Sequence, residues 1–410
     1  MRIERLLMQR VEGEAELQLL WKDGIVEDAR ISIPTSRGIE KVLIGRPYMD
    51  ALVIVPRVCG ICGHAHLMAC VQALEDILGV VPTKKARLVR TITQSLEVLQ
   101  NHIKWFYLFL MPEVAQADIY RPYRGKRWID AIEVSSRITR AIALLSGQWP
   151  HASYAVPGGI TSSPKPSDIV DLGLTLDLVK GFFQESVIED IRKFLEFCQS
   201  EGLMHKGKAY NRLLSGGNLF NGPGYYMDRV IHGRLKTYMV EEAEPPSYSL
   251  AYPVRYKGLP FETGPLSRLL LLPDPEVRHM HRKYGDSFGV RVLARVKEIG
   301  HLVGFLEGVI KELKDRLSEP SNSLKRPPKE VKGYGLGVVE AARGTLIHSI
   351  TVEKGLIREY RIITPSQWNL GPRCEKHLGV AEKAMIGLDR SEYAKLVLRS
   401  FDLCSVCTTH

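Results

Sequence analysis

The segments "RVCGICGHAH" (57–66) and "DLCSVCTTH" (402–410) each contain two cysteines separated by two residues. This spacing lets both sulfurs of a pair face one side of a tight turn and bind the same metal ion. Two pairs together supply four thiolates, which form a closed site for a soft metal. Chain ends usually lose order, so a metal held by both pairs would fix the C-terminus and tie the two ends of the fold together.

Structural zinc is the usual occupant of a four-cysteine site. In zinc ribbons, however, the two pairs lie close together in sequence, whereas here almost the whole chain lies between them. Histidines also accompany both pairs, since His66 follows Cys62 and His410 ends the chain after Cys407. A structural zinc site does not need these histidines, so the pattern favours a metal site with its own chemistry.

The composition is that of a packed globular protein, with 45% hydrophobic and 25% charged residues among 410. The net charge is +10, but the 56 basic residues are scattered among 46 acidic ones, which argues against nucleic-acid binding. No apolar run approaches the ~20 residues of a membrane helix, and the N-terminus lacks a secretory signal. We therefore expect a soluble, cytoplasmic chain, with export or membrane association through a partner left open.

The hydrophobic pattern predicts an α+β fold that is mostly helical. Residues 15–33 alternate at period two around a "KDG" turn, which indicates an N-terminal hairpin or small sheet. Residues 334–363 read as strands with turns at Gly344 and "EKG", and 204–270 as irregular with short strands. We expect one domain over 1–410 with a core of long helices, predicted at 84–110, 126–147, 167–200, 275–318 and, with a break near Gly387, 374–402.

The two cysteine segments resemble the signature motifs of the large subunit of nickel–iron hydrogenases, RxCGxCxxxH and DPCxxCxxH. The similarity runs from about residue 3 to the last residue and implies the large-subunit fold of that family. It also implies the family's activity, the reversible splitting of H2 into two protons and two electrons. Further motifs occur in the family's order: "RVEG" (10–13), "SRGIE" (36–40), "VPGGIT" (156–161), "ETGPLSR" (262–268), "EAARGTLIH" (340–348) and "TPSQWNLGPR" (364–373).

The resemblance implies a nickel–iron centre bound by the four cysteines. Cys59 and Cys404 would bind nickel alone, while Cys62 and Cys407 would bridge nickel and iron. The iron of this family also carries cyanide and carbon monoxide, which no side chain in the sequence could reveal.

A second metal, magnesium or iron, is implied near the C-terminus. Its ligands would be Glu40, His410 and a backbone carbonyl near Ile362. Such a metal would anchor the last residue. The family's large subunit is made with a C-terminal extension that is removed after this histidine, so a chain that ends at His410 resembles the processed product or a trimmed one.

Four more residues match functional positions of the family. Glu12 matches a glutamate that relays protons from a nickel-bound cysteine, a role suited to a buried carboxyl with a raised pKa. Arg343 matches an arginine over the open metal position, where it could polarise H2, act as a base or donate to a cyanide. Ser366 would donate to a cyanide, and His66 would bond near a bridging thiolate.

Several positions depart from the family pattern. Glu14 stands where the family usually has histidine, and Leu403 and Ala342 replace prolines. Asn101 stands where an aspartate is frequent in the surroundings of the arginine. These changes leave the predicted ligands intact but affect the residues around them.

The chain lacks the cysteines for an electron relay, because Cys70, Cys198 and Cys374 are isolated in sequence. Electrons from a buried centre need such a relay, so we expect an iron–sulfur small subunit and leave room for further electron-transfer subunits. The alternative function is an H2-sensing regulatory subunit with slow turnover. A metal-free relative from respiratory complexes would not need the four cysteines, and a structural zinc protein is the remaining alternative.

Overall fold

Long helices and small antiparallel sheets make up the computed structural model, which describes residues 2–115, 117–217, 219–220, 222, 224–228, 232–272 and 274–410. Within these ranges, no helix has both the length and the apolar character needed to cross a membrane. The α-helices are α1 (Ile39–Leu43), α2 (Ala51–Ile54), α3 (Gly63–Leu78), α4 (Lys84–Lys104), α5 (Met111–Val114), α6 (Lys126–Ser146), α7 (Pro166–Phe182), α8 (Ile188–Ser200), α9 (Pro265–Leu271), α10 (Pro275–Tyr284), α11 (Phe288–Lys314), α12 (Pro365–Leu370), α13 (Val380–Met385), α14 (Ser391–Ser400) and α15 (Ser405–Thr409).

The strands pair mainly with sequence neighbours. Antiparallel sheets join β1–β2–β3 and β12–β13–β14, while β11 adds in parallel to β6 of the sheet β11–β6–β7–β8. The remaining pairs are β4–β5 and β9–β10. The strands are β1 (Arg2–Leu7), β2 (Glu16–Lys22), β3 (Ile25–Ser32), β4 (Ala155–Val156), β5 (Gly159–Ile160), β6 (Leu213–Ser215), β7 (Tyr225–Met227), β8 (His232–Arg234), β9 (Val240–Glu242), β10 (Val254–Tyr256), β11 (Glu262–Thr263), β12 (Gly333–Ala341), β13 (Gly344–Glu353) and β14 (Leu356–Ile363).

The long helices form a four-helix bundle. Helix α4 packs against α6 and α11, and α7 packs against the same two helices from the other side. In α4, which lies within the helix predicted at 84–110, the apolar residues Ile92, Leu96 and Leu99 recur every three or four positions and are buried. The predicted mostly helical α+β fold with a bundle core and an N-terminal hairpin is therefore observed.

Helix α3 lies directly on the β12–β13–β14 sheet because two glycines allow a close approach. A Cβ at Gly335 would overlap the backbone oxygen of Ala73, and one at Gly337 would overlap that of Ala69. Helix α3 begins immediately after Cys62, and the turn between β12 and β13 carries Arg343. This packing therefore sets the position of one predicted metal-binding turn relative to the predicted arginine.

The C-terminal tail is held by the N-terminal part of the chain. The Ile39 N–H donates to the carbonyl of His410 over 3.1 Å, and the Ser36 hydroxyl donates to the carbonyl of Thr409 over 2.7 Å. On the other side of the tail, the Ser405 N–H donates to the carbonyl of Glu12 over 3.0 Å. The two ends of the chain thus meet, as the cysteine spacing predicted.

Two predicted helices are shorter than expected. The helix predicted at 275–318 is broken between α10 and α11, where Asp286 accepts hydrogen bonds from the backbone of Ala209 and Asn211. The helix predicted at 374–402 becomes α13 and α14, separated at the predicted break near Gly387, which has a φ of 82°. Tertiary contacts override the local helical pattern in the first case.

The other helix predictions are confirmed. The π-helical turn Trp105–Leu110 prolongs α4, and the π-helical turn Phe183–Val187 joins α7 to α8. One connected hydrophobic cluster runs from Met8 to Leu403. The single domain over 1–410 stays a prediction, and this connected core is in its favour.

Candidate metal centre and active site

The four cysteines of the two motifs converge in the interior. The Sγ atoms of Cys59 and Cys404 lie 3.9 Å apart, and those of Cys62 and Cys407 lie 3.6 Å apart. All four side chains are buried, and none is in a disulfide. Metal–sulfur bonds of about 2.3 Å in a tetrahedral site put sulfurs at about this separation. Thiols from both ends of the chain are therefore arranged as a metal would require.

Glycines allow the two cysteine segments to come together. A Cβ at Gly63, the first residue of α3, would lie 2.7 Å from the carbonyl oxygen of Pro56. Gly13 has a φ of 85°, and a Cβ there would overlap the hydroxyl oxygen of Ser405. Only glycine therefore fits at both positions, which lie beside the two cysteine turns.

The thiol cluster favours a thiolate even before a metal is bound. Hydrogen bonds from Cys404, Cys407 and Cys62, in decreasing order of effect, lower the pKa of the Cys59 thiol well below its usual value. A bound cation favours thiolates further, since thiolate rather than thiol is the ligand. The donor set of four soft sulfurs fits nickel, which the resemblance predicts.

Arg343 lies beside the thiols and is held by Asp402. Its Nε donates to the Asp402 carbonyl over 2.8 Å, and its Nη2 donates to the Asp402 carboxylate over 3.2 Å. The Nη1 atom is buried and has no hydrogen-bond partner among the described residues. Burial opposes the charge, but Asp402 and the cysteines raise the pKa of Arg343 above its usual value, so the side chain stays cationic.

Glu12 lies next to the first cysteine of each pair. Its backbone forms an isolated parallel β-bridge with Cys404. Its Oε1 lies 3.5 Å from where a side chain would begin on Gly60, the residue after Cys59. Burial, and then the charge of Cys59, raise the pKa of Glu12 above its usual value. The carboxyl is therefore better able to hold a proton near neutral pH than an exposed glutamate is.

His66 belongs to a buried chain of hydrogen bonds. It lies within 4.8 Å of both Cys62 and Cys407, measured between possible ligand atoms. Its Nδ1 is 3.0 Å from Nε2 of His348, whose Nδ1 is 2.7 Å from the hydroxyl of Tyr360. Burial lowers the pKa of His66 to about 3, so the ring is neutral.

The three residues predicted around the second metal also meet. The Nε2 of His410 lies 3.4 Å from Oε1 of Glu40, and the same oxygen accepts from the Ile362 N–H over 2.7 Å. Burial would raise the pKa of Glu40, but the bonds from His410 and Ile362 lower it below its usual value. A carboxylate and a histidine are thus paired at the C-terminus.

Ser366 lies on the short helix α12, which packs against α15. The preceding Thr364 donates from its hydroxyl to the carbonyl of Cys407 over 2.6 Å, which ties the two helices together. The Ser366 hydroxyl is buried and has no partner within the described ranges. A buried donor without a partner is costly, so this hydroxyl is available to a ligand.

Two positions that sequence reasoning did not identify hold the cysteine turns. Arg37 donates to the carbonyls of Arg57 and Val58 before Cys59, and to Val406 in the second turn over 3.4 Å. Its place in the "SRGIE" segment with the predicted ligand Glu40 is the only indication that the sequence gives.

Glu97 is the second of these positions. Its carboxylate accepts from the backbone N–H groups of His64 and Ala65 over 3.0 and 3.1 Å, so it caps the start of α3. The Trp149 indole donates to it over 3.3 Å. Burial raises the pKa of Glu97 to about 8. No sequence motif marks this residue, because its partners come from other elements.

A family model and several known proteins match this chain. The family model described as nickel-dependent hydrogenase matches residues 37–111 and 225–410. The chain is 26% identical to the large subunit of the periplasmic [NiFeSe] hydrogenase of Desulfomicrobium baculatum, over 98% of this chain and 93% of that one. It is 27% identical to the alpha subunit of sulfhydrogenase 2 from Pyrococcus furiosus, over 98% and 97%.

Solved structures share the fold. A [NiFeSe] hydrogenase of Dm. baculatum aligns with a TM-score of 0.90 at 22% identity, and one of D. vulgaris Hildenborough with 0.89 at 24%. Both alignments cover 100% of each chain. The family match spans most of the chain and includes both cysteine pairs. The prediction made from the cysteine motifs is thus confirmed, and the chain belongs to the nickel-dependent hydrogenase family.

Proposed function

We propose that this chain is the catalytic subunit of a nickel–iron hydrogenase, which interconverts H2 with two protons and two electrons. The observation that carries the proposal is the convergence of four buried thiols at 3.6 and 3.9 Å from opposite ends of the chain. A nickel–iron centre, when bound, supplies a soft, redox-active metal pair at which H2 is split. Cys59 and Cys404 would bind nickel, and Cys62 and Cys407 would bridge both metals.

Donors around the cluster fit the small anionic ligands that the iron of this family carries. Ser366 Oγ and Arg343 Nη1 are buried and lack partners among the described residues, so each can donate to cyanide. Carbon monoxide needs no such donor. Of the three roles open to Arg343, its raised pKa supports that of a fixed cation and argues against that of a base.

Glu12 would take a proton from a nickel-bound cysteine and pass it away from the centre. Its position beside Cys59 and its raised pKa support this role. His66 is neutral and within reach of Cys62 and Cys407, so it would donate to or accept from the bridging thiolates without changing the charge of the site.

Magnesium or iron would be held near the C-terminus by Glu40, His410 and the Ile362 backbone. The pairing of Glu40 with His410 supports this assignment. Hard oxygen ligands suit magnesium, whereas a histidine ligand suits iron as well.

The electrons would leave through an iron–sulfur small subunit. Cys70 and Cys198 are buried in the hydrophobic core, away from the cluster of four, and Cys374 is isolated in sequence. Val42 on α1, Ile44 directly after α1 and Val53 on α2 are exposed, and α2 leads into the turn that carries Cys59. An exposed apolar surface beside the metal site suits a permanent partner. The cytoplasmic location stays a prediction.

The test is to purify the chain with its partner, measure nickel and iron per complex, and assay dye reduction by H2. We expect both metals in near-equal amounts and turnover that depends on H2. Zinc as the only metal would refute the proposal, while slow turnover with full nickel would indicate the H2-sensing alternative. Cys407→Ser should lose nickel, and the matched control Cys198→Ser, at a buried cysteine outside the cluster, should keep it.

A further inference from the structure

The carboxylate of Asp402 lies between two arginines. Arg343 approaches it from the turn between β12 and β13, with Nε 3.2 Å from Oδ2. Arg295 approaches from helix α11, with Nη1 3.0 Å from the same oxygen. All three side chains are nearly inaccessible to solvent, with exposed fractions of 3–5%. The position of the Arg343 guanidinium therefore depends on that of Arg295, because both contact the same carboxylate oxygen.

Arg295 is fixed on its remaining sides. Its guanidinium stacks over the ring of Trp105 at 4.7 Å. Its Nη1 lies 3.3 Å from Oδ1 of Asn101 and 3.3 Å from Nδ1 of His102. Burial lowers the pKa of Arg295 to about 10, so it stays charged at neutral pH.

The same helix also fixes the backbone that leads to Arg343. An arginine can only donate, so Nδ1 of His102 accepts from Arg295, and its Nε2 carries the proton that is given to Glu298 over 2.7 Å. Glu298 pairs with both ends of the Arg268 guanidinium at 2.7 Å. Arg268 in turn donates to the carbonyls of Ala341 and Ala342. Helix α11 thus controls Arg343 through its backbone and through Asp402.

The charges in this cluster do not cancel. Arg343 and Arg295 carry two positive charges, and Asp402 carries one negative charge. The fourth member in contact is Asn101, whose side chain is neutral. These four side chains together carry one net positive charge beside the cysteine cluster, in an interior where charges interact strongly.

We propose, on the basis of the function proposed above, that Arg295 is a positioning residue of this enzyme, which fixes Arg343 through Asp402 and, with the neutral Asn101, leaves a net positive charge beside the metal centre. Arg295 touches no thiol and takes no part in bond breaking. Its effect reaches the centre through Asp402 and through the field of its charge.

The first test compares Arg295→Gln with Arg291→Gln in the purified two-chain complex. Arg291 is a matched control, because it is also buried on α11 but pairs with Glu262 and Asp286 instead of Asp402. We expect Arg295→Gln to lower H2 turnover by about a hundredfold, the usual cost of misplacing a functional group by about 1 Å. In an Arg343→Lys background the same change should cost little more, because the two arginines act as one unit.

The second test measures the midpoint potential of nickel by redox titration followed by electron paramagnetic resonance. A nearby positive charge favours the reduced state, so Arg295→Gln and Asn101→Asp should both lower the potential, while Arg291→Gln should leave it unchanged. Asn101→Asp retains Arg295 and its packing, so it serves if Arg295→Gln does not fold.

The proposal is overturned if the fold-losses of turnover caused by Arg295→Gln and Arg343→Lys multiply when the two changes are combined. It is also overturned if Asn101→Asp leaves the midpoint potential of nickel unchanged. Failure of the proposed function is distinguishable, because the wild-type complex would then lack nickel or H2-dependent turnover before any variant is made.

Discussion

Replacing Gly337 by alanine tests whether the close contact between α3 and the sheet positions the metal site. The added Cβ would overlap the backbone oxygen of Ala69, and neither atom can move by a change of rotamer. Helix α3 must then retreat from β12, at a cost of about 1–3 kcal/mol for overpacking. Alanine recovers about 0.4–1 kcal/mol because it restricts the unfolded chain. The two effects together leave a net loss of up to about 2.6 kcal/mol, with a midpoint of about 1.3 kcal/mol.

The retreat should also weaken metal binding. Helix α3 starts directly after Cys62, whose sulfur lies 3.6 Å from that of Cys407. Moving the helix separates this pair, so we expect less nickel per complex as well as a lower melting temperature. Gly173→Ala is the matched control, because this helical glycine has open space around it and alanine should stabilise α7 there. Equal melting temperatures and full nickel in Gly337→Ala would refute the reasoning.

Three further predictions concern carboxylates. Glu12→Gln should lower dye reduction by about a hundredfold or more and leave nickel content unchanged, since the amide cannot relay protons; retained turnover would exclude the relay. The pKa of Glu97 is about 8 in the fold against 4.5 as its ordinary value, so the folded protein holds a proton that the unfolded chain releases. Stability should therefore fall by a few kcal/mol as pH rises from 4.5 to 8, and Glu97→Gln should flatten that slope in melting curves; an unchanged slope would contradict the assignment. Glu40→Ala removes the partner of His410. Carboxypeptidase should therefore release the last residue faster from this variant than from the control variant Glu359→Ala, which changes an exposed position on β14. Equal rates of release would count against the anchoring of His410 by Glu40.

Local patterns were enough to predict most elements. The hairpin of β2 and β3 follows from alternation around Asp23 and Gly24, and α4 follows from its three-four spacing. The exceptions arise where a tertiary contact is worth more than the local preference. Asp286 illustrates this, because its hydrogen bonds to a distant loop replace a helical turn.

The sequence by itself indicated which residues could hold a soft metal, because such a metal needs thiolates and only Cys59, Cys62, Cys404 and Cys407 occur in closely spaced pairs. It could not determine what surrounds the thiols. Glu97 caps the turn after Cys62 from another helix. Contacts between residues far apart in sequence leave no local pattern.

Arg295 is a second residue whose position near the site the local sequence could not reveal. It reaches Asp402 across a separation of 107 residues, and nothing in its own segment distinguishes it from Arg291 one turn earlier. Only the packing of α11 against α4 and the C-terminal tail decides which of the two arginines faces the site. The sequence therefore determined which metal chemistry is possible, and the tertiary structure decided which charges act on it, because electrostatic interactions depend on distance in space.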